Sequence, residues 1–287
     1  MKKVIIFMVA VVVATAFSSR ANAADNLIFG KRIKAEGKKI TEVRTSAMKF
    51  DKIEVSRGVH VIVEERTDGD IQVTTLSSIM PYVELGVSKG VFKATLSDNL
   101  KSVNGNYTIE VRIPNNGKIN DIGVYAAGSV TVIPTLQSNE INLSAYGAAK
   151  IKATVKAAKC EAEASGASCL DLIVEGGEID AEISGASKGY LELRTLKSVI
   201  EVSGASNLTA TGKSDFLDID VSGASKADAS GMTALVCNAE AGGASKLAVK
   251  CTESLSAEAS GASKIVYSGG CRLASSSAGG ASSISKN

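Results

Sequence analysis

The chain of 287 residues has 32 basic and 30 acidic side chains, a single histidine and no tryptophan. This near-balance of charge leaves no basic excess to hold a polyanion, so nucleic acid is not an expected partner. Aromatic residues make up only 4% of the chain, which favours a thin core of Ala, Val, Leu and Ile over the thick core of a globular domain.

The N-terminus predicts export from the cell. Lys2 and Lys3 precede an apolar run over residues 4–16, and small residues stand before a cleavage point after Ala23. We therefore predict a signal peptide over residues 1–23 and a mature protein in the periplasm, on the cell surface or outside the cell. The apolar run is shorter than the roughly 20 residues of a membrane span, and no later run is long enough, so no span is expected after cleavage.

The next two segments lack a regular repeat. Residues 24–46 are a polar N-terminal segment, and residues 47–121 contain short stretches with an apolar side chain at every second position. The clearest stretches are residues 59–63 and 107–114, and the second one runs into a Pro-Asn-Asn-Gly turn. A period of two indicates β-strands, so we expect irregular β coils or a β cap over residues 47–121.

A short phrase centred on Gly-Ala-Ser recurs from residue 122 to the C-terminus. Its glycines are spaced by about 19 residues, and the one step that is longer is corrected by a shorter step directly after it. A degenerate copy at Gly128 starts the series, and the predicted corners that follow are Gly147, Gly166, Gly185, Gly204, Gly223, Gly243, Gly261 and Gly280. Glycine suits a tight corner between strands because it adopts a positive φ without steric cost.

The residues before each corner predict a strand. Apolar residues stand two, four and six positions before the glycine, and the intervening positions are polar or acidic. This alternation and the glycine corners exclude a helical repeat. A unit of this size cannot bury its apolar side alone, whereas stacked units bury it continuously. We therefore predict an all-β fold, a single-stranded right-handed parallel β-helix (solenoid) with about 19 residues per coil over residues 122–287.

Two columns of charged residues flank the predicted corners. A possible ligand or calcium face consists of Glu163, Glu182, Glu201, Asp218, Asp220, Glu240 and Glu258. Like charges on neighbouring strands repel each other, and bound calcium would relieve the repulsion. The alternative is that these side chains splay into water and that a lysine column on the other side of the corner offsets their charge. This lysine column consists of Lys150, Lys188, Lys226, Lys246 and Lys264.

Serine columns border the corner glycines on both sides. They could present hydroxyl groups to a glycan or to a protein partner. They could also be present only because a corner requires small side chains. The sequence leaves both interpretations open.

Five cysteines lie in the repeat region. They are Cys160, Cys169, Cys237, Cys251 and Cys271. No C-x-x-C pair occurs and the chain has a single histidine, so no metal site is confidently expected. Cys160 and Cys237 occupy one inward column four coils apart, which is too far for a disulfide. Cys251 and Cys271 are separated in the sequence by close to one coil, so a disulfide between adjacent coils is the hypothesis for this pair.

The sequence shows no catalytic site, and we expect no enzyme activity and no cofactor other than calcium. His60 occupies an outward strand position without a Ser-His-Asp pattern around it. General acid–base catalysis needs an environment that shifts a pKa, whereas a regular ladder repeats one environment. A carbohydrate-active β-helix enzyme with Asp218 and Asp220 as its acids is the remaining catalytic alternative.

The pattern as a whole resembles a known family. The segments that carry the resemblance are residues 50–55 (FDKIEV) and 58–61 (GVHV), the strand end at Ile113-Pro114 and the serial Ser-Gly-Ala-Ser-Lys corners. They resemble the auto-transporter adhesin, head GIN domain family over roughly residues 48–285. The resemblance implies an exported β-helical protein without an established activity. No translocator barrel follows the repeats before Asn287, so we do not expect a complete autotransporter.

Three functional hypotheses follow. The first is a secreted or cell-surface adhesin-like protein that binds a glycan or a protein through a face of the solenoid. The second is a structural protein of the cell envelope that has no specific ligand and self-associates through the solenoid ends, where strand edges are unpaired. The third is the carbohydrate-active enzyme named above.

Overall fold

The computed structural model describes residues 30–45, 49–66 and 69–287 of the chain. The predicted signal peptide therefore lies outside the described residues, as does the first part of the predicted polar segment. Nearly all of the described chain is β-strand, with one short 3-10 helix at Met80–Tyr82 and no α-helix. Within these ranges, no helix is long and apolar enough to cross a membrane.

The described N-terminal part contains ten short strands in a mixture of parallel and antiparallel pairs. Their bounds are β1 Lys31–Lys34, β2 Lys39–Thr45, β3 Lys52–Val55, β4 Val59–Glu64, β5 Asp70–Leu76, β6 Val83–Ser88, β7 Val91–Leu96, β8 Leu100–Asn104, β9 Ile109–Pro114 and β10 Asp121–Tyr125. β2 pairs antiparallel with β5, and β6 pairs antiparallel with β7. β3 runs parallel to β7 and β10, and β4 runs parallel to β9, so these two strands lead into the repeat.

Seven long strands then form the regular coils. Their bounds are β11 Ser129–Gly147, β12 Lys150–Gly166, β13 Cys169–Ile183, β14 Lys188–Val202, β15 Asn207–Val221, β16 Lys226–Ala241 and β17 Lys246–Ala259. Each strand pairs in parallel with the next, and from β12 to β15 the partner of a residue lies 19 positions further along the chain. Register shifts around β16 produce the longer step from Gly223 to Gly243 and the shorter step from Gly243 to Gly261. The predicted parallel β-solenoid is therefore confirmed, with about nine turns.

Three strands form the C-terminal end of the solenoid. Their bounds are β18 Lys264–Ser268, β19 Arg272–Ala278 and β20 Ser283–Lys286. β18 and β19 both pair with β17, and β20 pairs with β18. In the described residues, β19 and β20 have a partner strand on one edge only, and all of β19 is exposed.

One continuous hydrophobic core runs through the coils. In β14, for example, Leu191 and Leu193 are buried while Tyr190, between Gly189 and Leu191, is exposed, because successive side chains of a strand point to opposite faces. Large aromatic side chains enter the core only in the N-terminal part, where the rings of Phe50 and Phe92 lie 5.3 Å apart. The regular coils are filled instead by Ala, Val, Leu and Ile, so their core is thin.

The eight glycines of the corner series all have φ between +72° and +87°. Successive corners also lie directly on top of each other. A Cβ atom on Gly204 would lie only 2.5 Å from the carbonyl oxygen of Gly185 in the preceding coil. These corners therefore need glycine twice over, for its backbone conformation and for its missing side chain.

Gly128 does not mark a corner in the way that the sequence suggested. Its φ is not positive, and Ala126 and Ala127 adopt the left-handed conformation instead, with φ of +44° and +66°. The neighbour of Gly147 in the preceding coil is Ala126 rather than Gly128. The first step of the series is therefore longer than the regular step, because the alignment on glycine placed the wrong residue at this corner.

The serines that follow the Gly-Ala pair form a buried set in six of the corners. Its members are Ser168, Ser187, Ser206, Ser225, Ser245 and Ser263, which are at most 2% exposed. The Ser187 hydroxyl accepts a hydrogen bond from the Ser168 backbone N–H at 3.2 Å, and the Ser206 hydroxyl accepts one from the Ser187 N–H at 3.3 Å. These hydroxyls complete the backbone hydrogen bonds of the corner, so a ligand cannot reach them.

A second corner divides each coil into two sides. In β14, Leu196 and Lys197 are consecutive exposed residues between buried Thr195 and buried Ser198. The hydroxyls of Thr195 and Ser198 lie 2.8 Å apart, so these buried polar groups satisfy each other. We call the strand segment from the glycine corner to the second corner the first side, and the segment from there to the next glycine corner the second side.

Candidate binding faces

The acidic residues predicted as a candidate ligand face form a ladder on the second side. Parallel register places each of them directly beside its counterpart in the next coil. We call this set the acidic ladder, and its members are Glu163, Glu182, Glu201, Asp220, Glu240 and Glu258. Asp218 lies two residues before Asp220 on the same outer face of β15. Successive backbones are separated by about 4.8 Å, the spacing of neighbouring strands.

No basic side chain neutralises the acidic ladder. Among the ion pairs of the described residues, none includes a carboxylate of the ladder. The carboxylate of Glu163 accepts a hydrogen bond from the hydroxyl of Tyr146. The expected offset by the lysine column is therefore absent as a direct contact, because the glycine corner separates the two columns.

Glu240 shows the electrostatic cost of the ladder. Partial burial raises the pKa of its carboxyl group above the ordinary value. The neighbouring charges of Asp220, Glu258 and Asp218 raise this pKa further. Two unit charges about 5 Å apart in bulk water repel by about 1 kcal/mol, so splaying into solvent relieves only part of the repulsion.

The calcium hypothesis gains no support from the arrangement of the ladder. Three or more ligating side chains would have to converge, since calcium takes six to eight oxygen ligands. In the described ranges, no group of three or more His, Cys, Asp or Glu side chains is placed to hold a metal ion. Parallel strands hold the carboxylates in a row rather than around a point. Calcium binding stays a prediction of the sequence.

The lysine column forms a second ladder on the first side, immediately after the glycine corner. We call it the lysine ladder, and its members are Lys150, Lys188, Lys226, Lys246 and Lys264. Cys169 and Asn207 occupy the two remaining positions of the column. The lysines are exposed, and none of them has an ion-pair partner in the part of the chain that the structure describes.

Other charged columns of the coils behave differently, because their charges alternate in sign. Lys152 pairs with Asp171 of the next coil at 2.5 Å. Lys197 pairs with Glu178 at 2.7 Å in the same way. The two ladders repeat one sign of charge from coil to coil, so such a pair cannot form along either of them.

Two tyrosines occupy the N-terminal end of the acidic ladder, and the sequence analysis missed them. Tyr125 and Tyr146 are neighbours in adjacent coils, and their rings stack at 5.7 Å with an angle of 15°. The column of the ladder contains Gly123 and Ser144 here, and the Tyr125 ring packs over Gly123. The small residues make room for the rings. The signal in the sequence was the interval between the two tyrosines, which is longer than the regular step and which the alignment on glycine concealed.

A surface cavity of about 290 Å³ lies at the other end of the acidic ladder. It is lined by Asn238, Ala239, Glu240, Ser256, Ala257, Glu258 and Ser275, Ser276 and Ser277. Two carboxylates of the ladder therefore face this cavity, and the ladder ends there because a serine follows Glu258 in the column.

The single histidine and the two acids named in the catalytic alternative do not come together. His60 is half-buried on β4, where its Nδ1 lies 2.5 Å from the hydroxyl oxygen of Ser129. Burial lowers the pKa of this histidine. Asp218 and Asp220 lie on β15, several coils further along the solenoid. The two acids named in the catalytic alternative therefore have no contact with the histidine.

All five cysteines are free thiols in the structure. Cys160 and Cys237 are core residues, and burial raises the pKa of Cys160 to about 12 and also raises that of Cys237. Burial likewise raises the pKa of Cys251, and the nearby thiol of Cys271 raises it further. These two thiols are neighbours, and a disulfide between them stays a prediction.

Comparison with known proteins gives the family. The family model described as "Putative auto-transporter adhesin, head GIN domain" matches residues 49–199 and 171–271. The chain belongs to the head GIN domain family. The resemblance that the sequence motifs indicated is thereby confirmed.

Solved structures of similar fold come from two Parabacteroides species. A "putative adhesin" from Parabacteroides merdae is 19% identical, with a TM-score of 0.66, and the match covers 89% of this chain and 99% of that one. A "Putative lipid binding protein" from Parabacteroides distasonis is 18% identical, with a TM-score of 0.64 and coverage of 90% and 100%. At this identity the likeness shows a shared fold alone. No curated protein matches the chain.

Proposed function

We propose that this protein is an exported, non-catalytic, adhesin-like protein that binds its partner through the charged sides of the solenoid. The observation that carries the proposal is the pair of unneutralised ladders. Ordered charges that have no ion-pair partner among the described residues are available to a partner outside the chain. The adhesin name of the family and of its structural relatives supports the same class of function.

The proposal includes export, which we infer from the predicted signal peptide. A cell-surface glycan or protein is the partner class that we propose, since a long regular face fits an extended surface better than a small molecule. The buried serines lie beneath this face and stabilise it. The serine before the glycine and the charged ladders are the groups that a partner can reach.

The test is binding of the chain without residues 1–23 to an array of glycans and matrix proteins, in calcium and in a chelator. A ladder variant, E182Q/E201Q/E240Q, removes three repeated charges from the second side. The matched control is E178Q/K197Q, which removes an ion pair and leaves the net charge unchanged. We expect the wild type and the control to bind one class of ligand and the ladder variant to lose at least tenfold in affinity.

Equal binding by all three proteins would show that the ladder is not the binding face. Loss of binding in the chelator would assign calcium a role at the ladder. Absence of binding to any array component would contradict the proposal and favour the structural protein of the cell envelope.

A further inference from the structure

The two ladders have the same pitch because they belong to the same coils. One carboxylate of the acidic ladder and one position of the lysine ladder recur in each coil, on opposite sides of the glycine corner. A ladder of one copy therefore matches the oppositely charged ladder of a second copy in spacing when the two solenoid axes are parallel, and the lysine ladder is unbroken over Lys226, Lys246 and Lys264. An unrelated partner would match this spacing only by coincidence.

Charge is separated between the sides, although the whole chain is nearly neutral. From β12 to β17, the second side carries acidic side chains and no basic ones. They are Glu161, Glu163, Asp180, Glu182, Glu201, Asp218, Asp220, Glu240 and Glu258, of which Glu161 is paired with Lys159 of the second corner. The first side has a basic excess, since Asp171 and Glu175 are already paired with Lys152 and Arg194. The formal net charge of the chain is only +2, so no general repulsion keeps two copies apart.

The ladders cannot neutralise each other within one chain. The glycine corner lies between them, and none of the ion pairs in the described ranges crosses it. A second copy can bring its first side against the second side of the first copy without moving any backbone. The repulsion that raises the pKa of Glu240 would then be relieved by facing lysines.

The size of the faces limits the strength of such a contact. The outer surface of six coils, at about 4.8 Å per coil and about 3.3 Å per residue, offers roughly 600 Å² on each copy. Stable interfaces bury about 800 Å² per partner. One pair of sides would therefore give a weak contact, which becomes populated at the high local concentration of a crowded surface.

From this complementarity we infer that the partner of the charged sides is a second copy of this chain. The acidic ladder of one copy binds the lysine ladder of its neighbour, side by side. This inference rests on the proposed function and names the partner of the same faces. The contact joins two different surfaces, so each pair leaves one free ladder of each sign and rows can extend.

The test is sedimentation velocity of the chain without residues 1–23 at several concentrations, in about 20 mM and about 500 mM salt, since exposed charges are screened at the higher value. We expect concentration-dependent assembly at low salt that weakens at least tenfold at high salt. An acid-reversed variant, E201K/D220K/E240K, and a lysine-reversed variant, K226E/K246E, should each stay monomeric. An equimolar mixture of the two variants should restore assembly, because the positive second side of one variant then faces the negative first side of the other.

The mixture keeps the test decisive if one variant is less stable, since restored assembly requires both to be folded. The matched control is the charge swap E178K/K197E, which should assemble like the wild type. A monomeric wild type at low salt, or assembly that ignores salt and charge reversal, would overturn the inference. If the array shows a ligand that the ladder variant loses while the wild type stays monomeric, the proposed function holds and the inference alone fails. A basic polymer bound through the acidic ladder would be such a ligand.

Discussion

One column of residues runs from the N-terminal strands into the regular coils, and its ion pairing differs between the two regions. Glu54 of β3 stands in the column that continues through Gly123 and Ser144 into the acidic ladder. Glu54 has a lysine partner, Lys93, at 2.8 Å, whereas the ladder carboxylates have none among the described residues. In an irregular region, each residue of a column can have a different type of neighbour. A repeat that places a carboxylate in one coil places it in every coil, so charge separation follows from repetition.

The corners differ between the two regions in the same way. Gly58 in the N-terminal part has a positive φ of +76°, but no atom lies within 4 Å of the position that a Cβ would take. Gly243 in the coils has a similar φ of +72°, and its Cβ would lie 2.7 Å from the carbonyl oxygen of Gly223. The N-terminal corner needs only the conformation of glycine, while the stacked corner also needs its size.

The largest expected effect tests this difference between corners. We predict that Gly243→Ala lowers the free energy of unfolding by about 2–4 kcal/mol, because strain at positive φ adds to a steric overlap with the preceding coil. Gly58→Ala should cost only about 1–2 kcal/mol, since strain acts there alone. Urea denaturation followed by circular dichroism measures both.

The control for these corner variants is Gly242→Ala, at the preceding residue. Gly242 has no positive φ, and the atom nearest to its Cβ position is 3.6 Å away. We expect a change close to zero. Similar losses for Gly242→Ala and Gly243→Ala would show that the corner tolerates a side chain and that stacking does not select glycine.

The next prediction concerns a disulfide, which only the repeat region can form because all five cysteines lie there. Oxidation by a small disulfide such as oxidised glutathione would join Cys251 to Cys271 and release two equivalents of reduced thiol. A loop of this length would gain about 3 kcal/mol of stability. After denaturation without reduction, we expect three titratable thiols rather than five.

The control for the disulfide is Cys271→Ser, which should leave four thiols and no gain in stability on oxidation. Five thiols in the oxidised wild type would rule out the link. A mass map that joins Cys251 to Cys237 would show that the buried core thiol is the true partner.

The smallest expected effect is the change in stability when an unpaired carboxylate of one column is removed, compared with removal of a paired carboxylate of the same column. The raised pKa of Glu240 means that the folded state binds this proton more tightly than the unfolded state does. The penalty is therefore present above the folded pKa and disappears as pH falls through it. We predict that Glu240→Gln stabilises the protein at pH 7 by about 0.3 kcal/mol, since solvent screens most of the repulsion, and that this gain vanishes at acidic pH.

Glu54→Gln is the matched variant, and its effect should have the opposite sign, because it removes the ion pair with Lys93. Melting temperatures of both variants over a pH series give the comparison. A loss of stability for Glu240→Gln at neutral pH would mean that the ladder carboxylate has a favourable partner.

The period of the sequence was sufficient to predict the coils, because inward residues at every second position must recur wherever identical coils stack. The acidic and lysine columns were also predicted, since register follows from the same period. The period did not predict the structure of the corners. Three consecutive outward residues interrupt the alternation there, and Ser187, four positions after buried Ile183, is buried although the corner serines look like a surface stripe.

The sequence also did not predict the ion-pair state of the ladders. Counting residues places Glu182 and Lys188 only six positions apart, which suggested that their charges offset each other. The corner turns the chain between them, so that they face different directions. At the first corner, Ala126 and Ala127 adopt the conformation usually reserved for glycine, and no residue type in that segment signals it.

The stacked corners have a consequence for how the molecule can change in length. A Cβ atom added to each corner glycine from Gly166 to Gly280 would lie nearest to atoms of the preceding corner glycine. Duplication of one complete repeat unit would therefore add about 4.8 Å of reach while leaving every existing neighbour in place. Duplication or loss of complete repeat units would lengthen or shorten the solenoid in fixed increments, so its length is set by the number of copies.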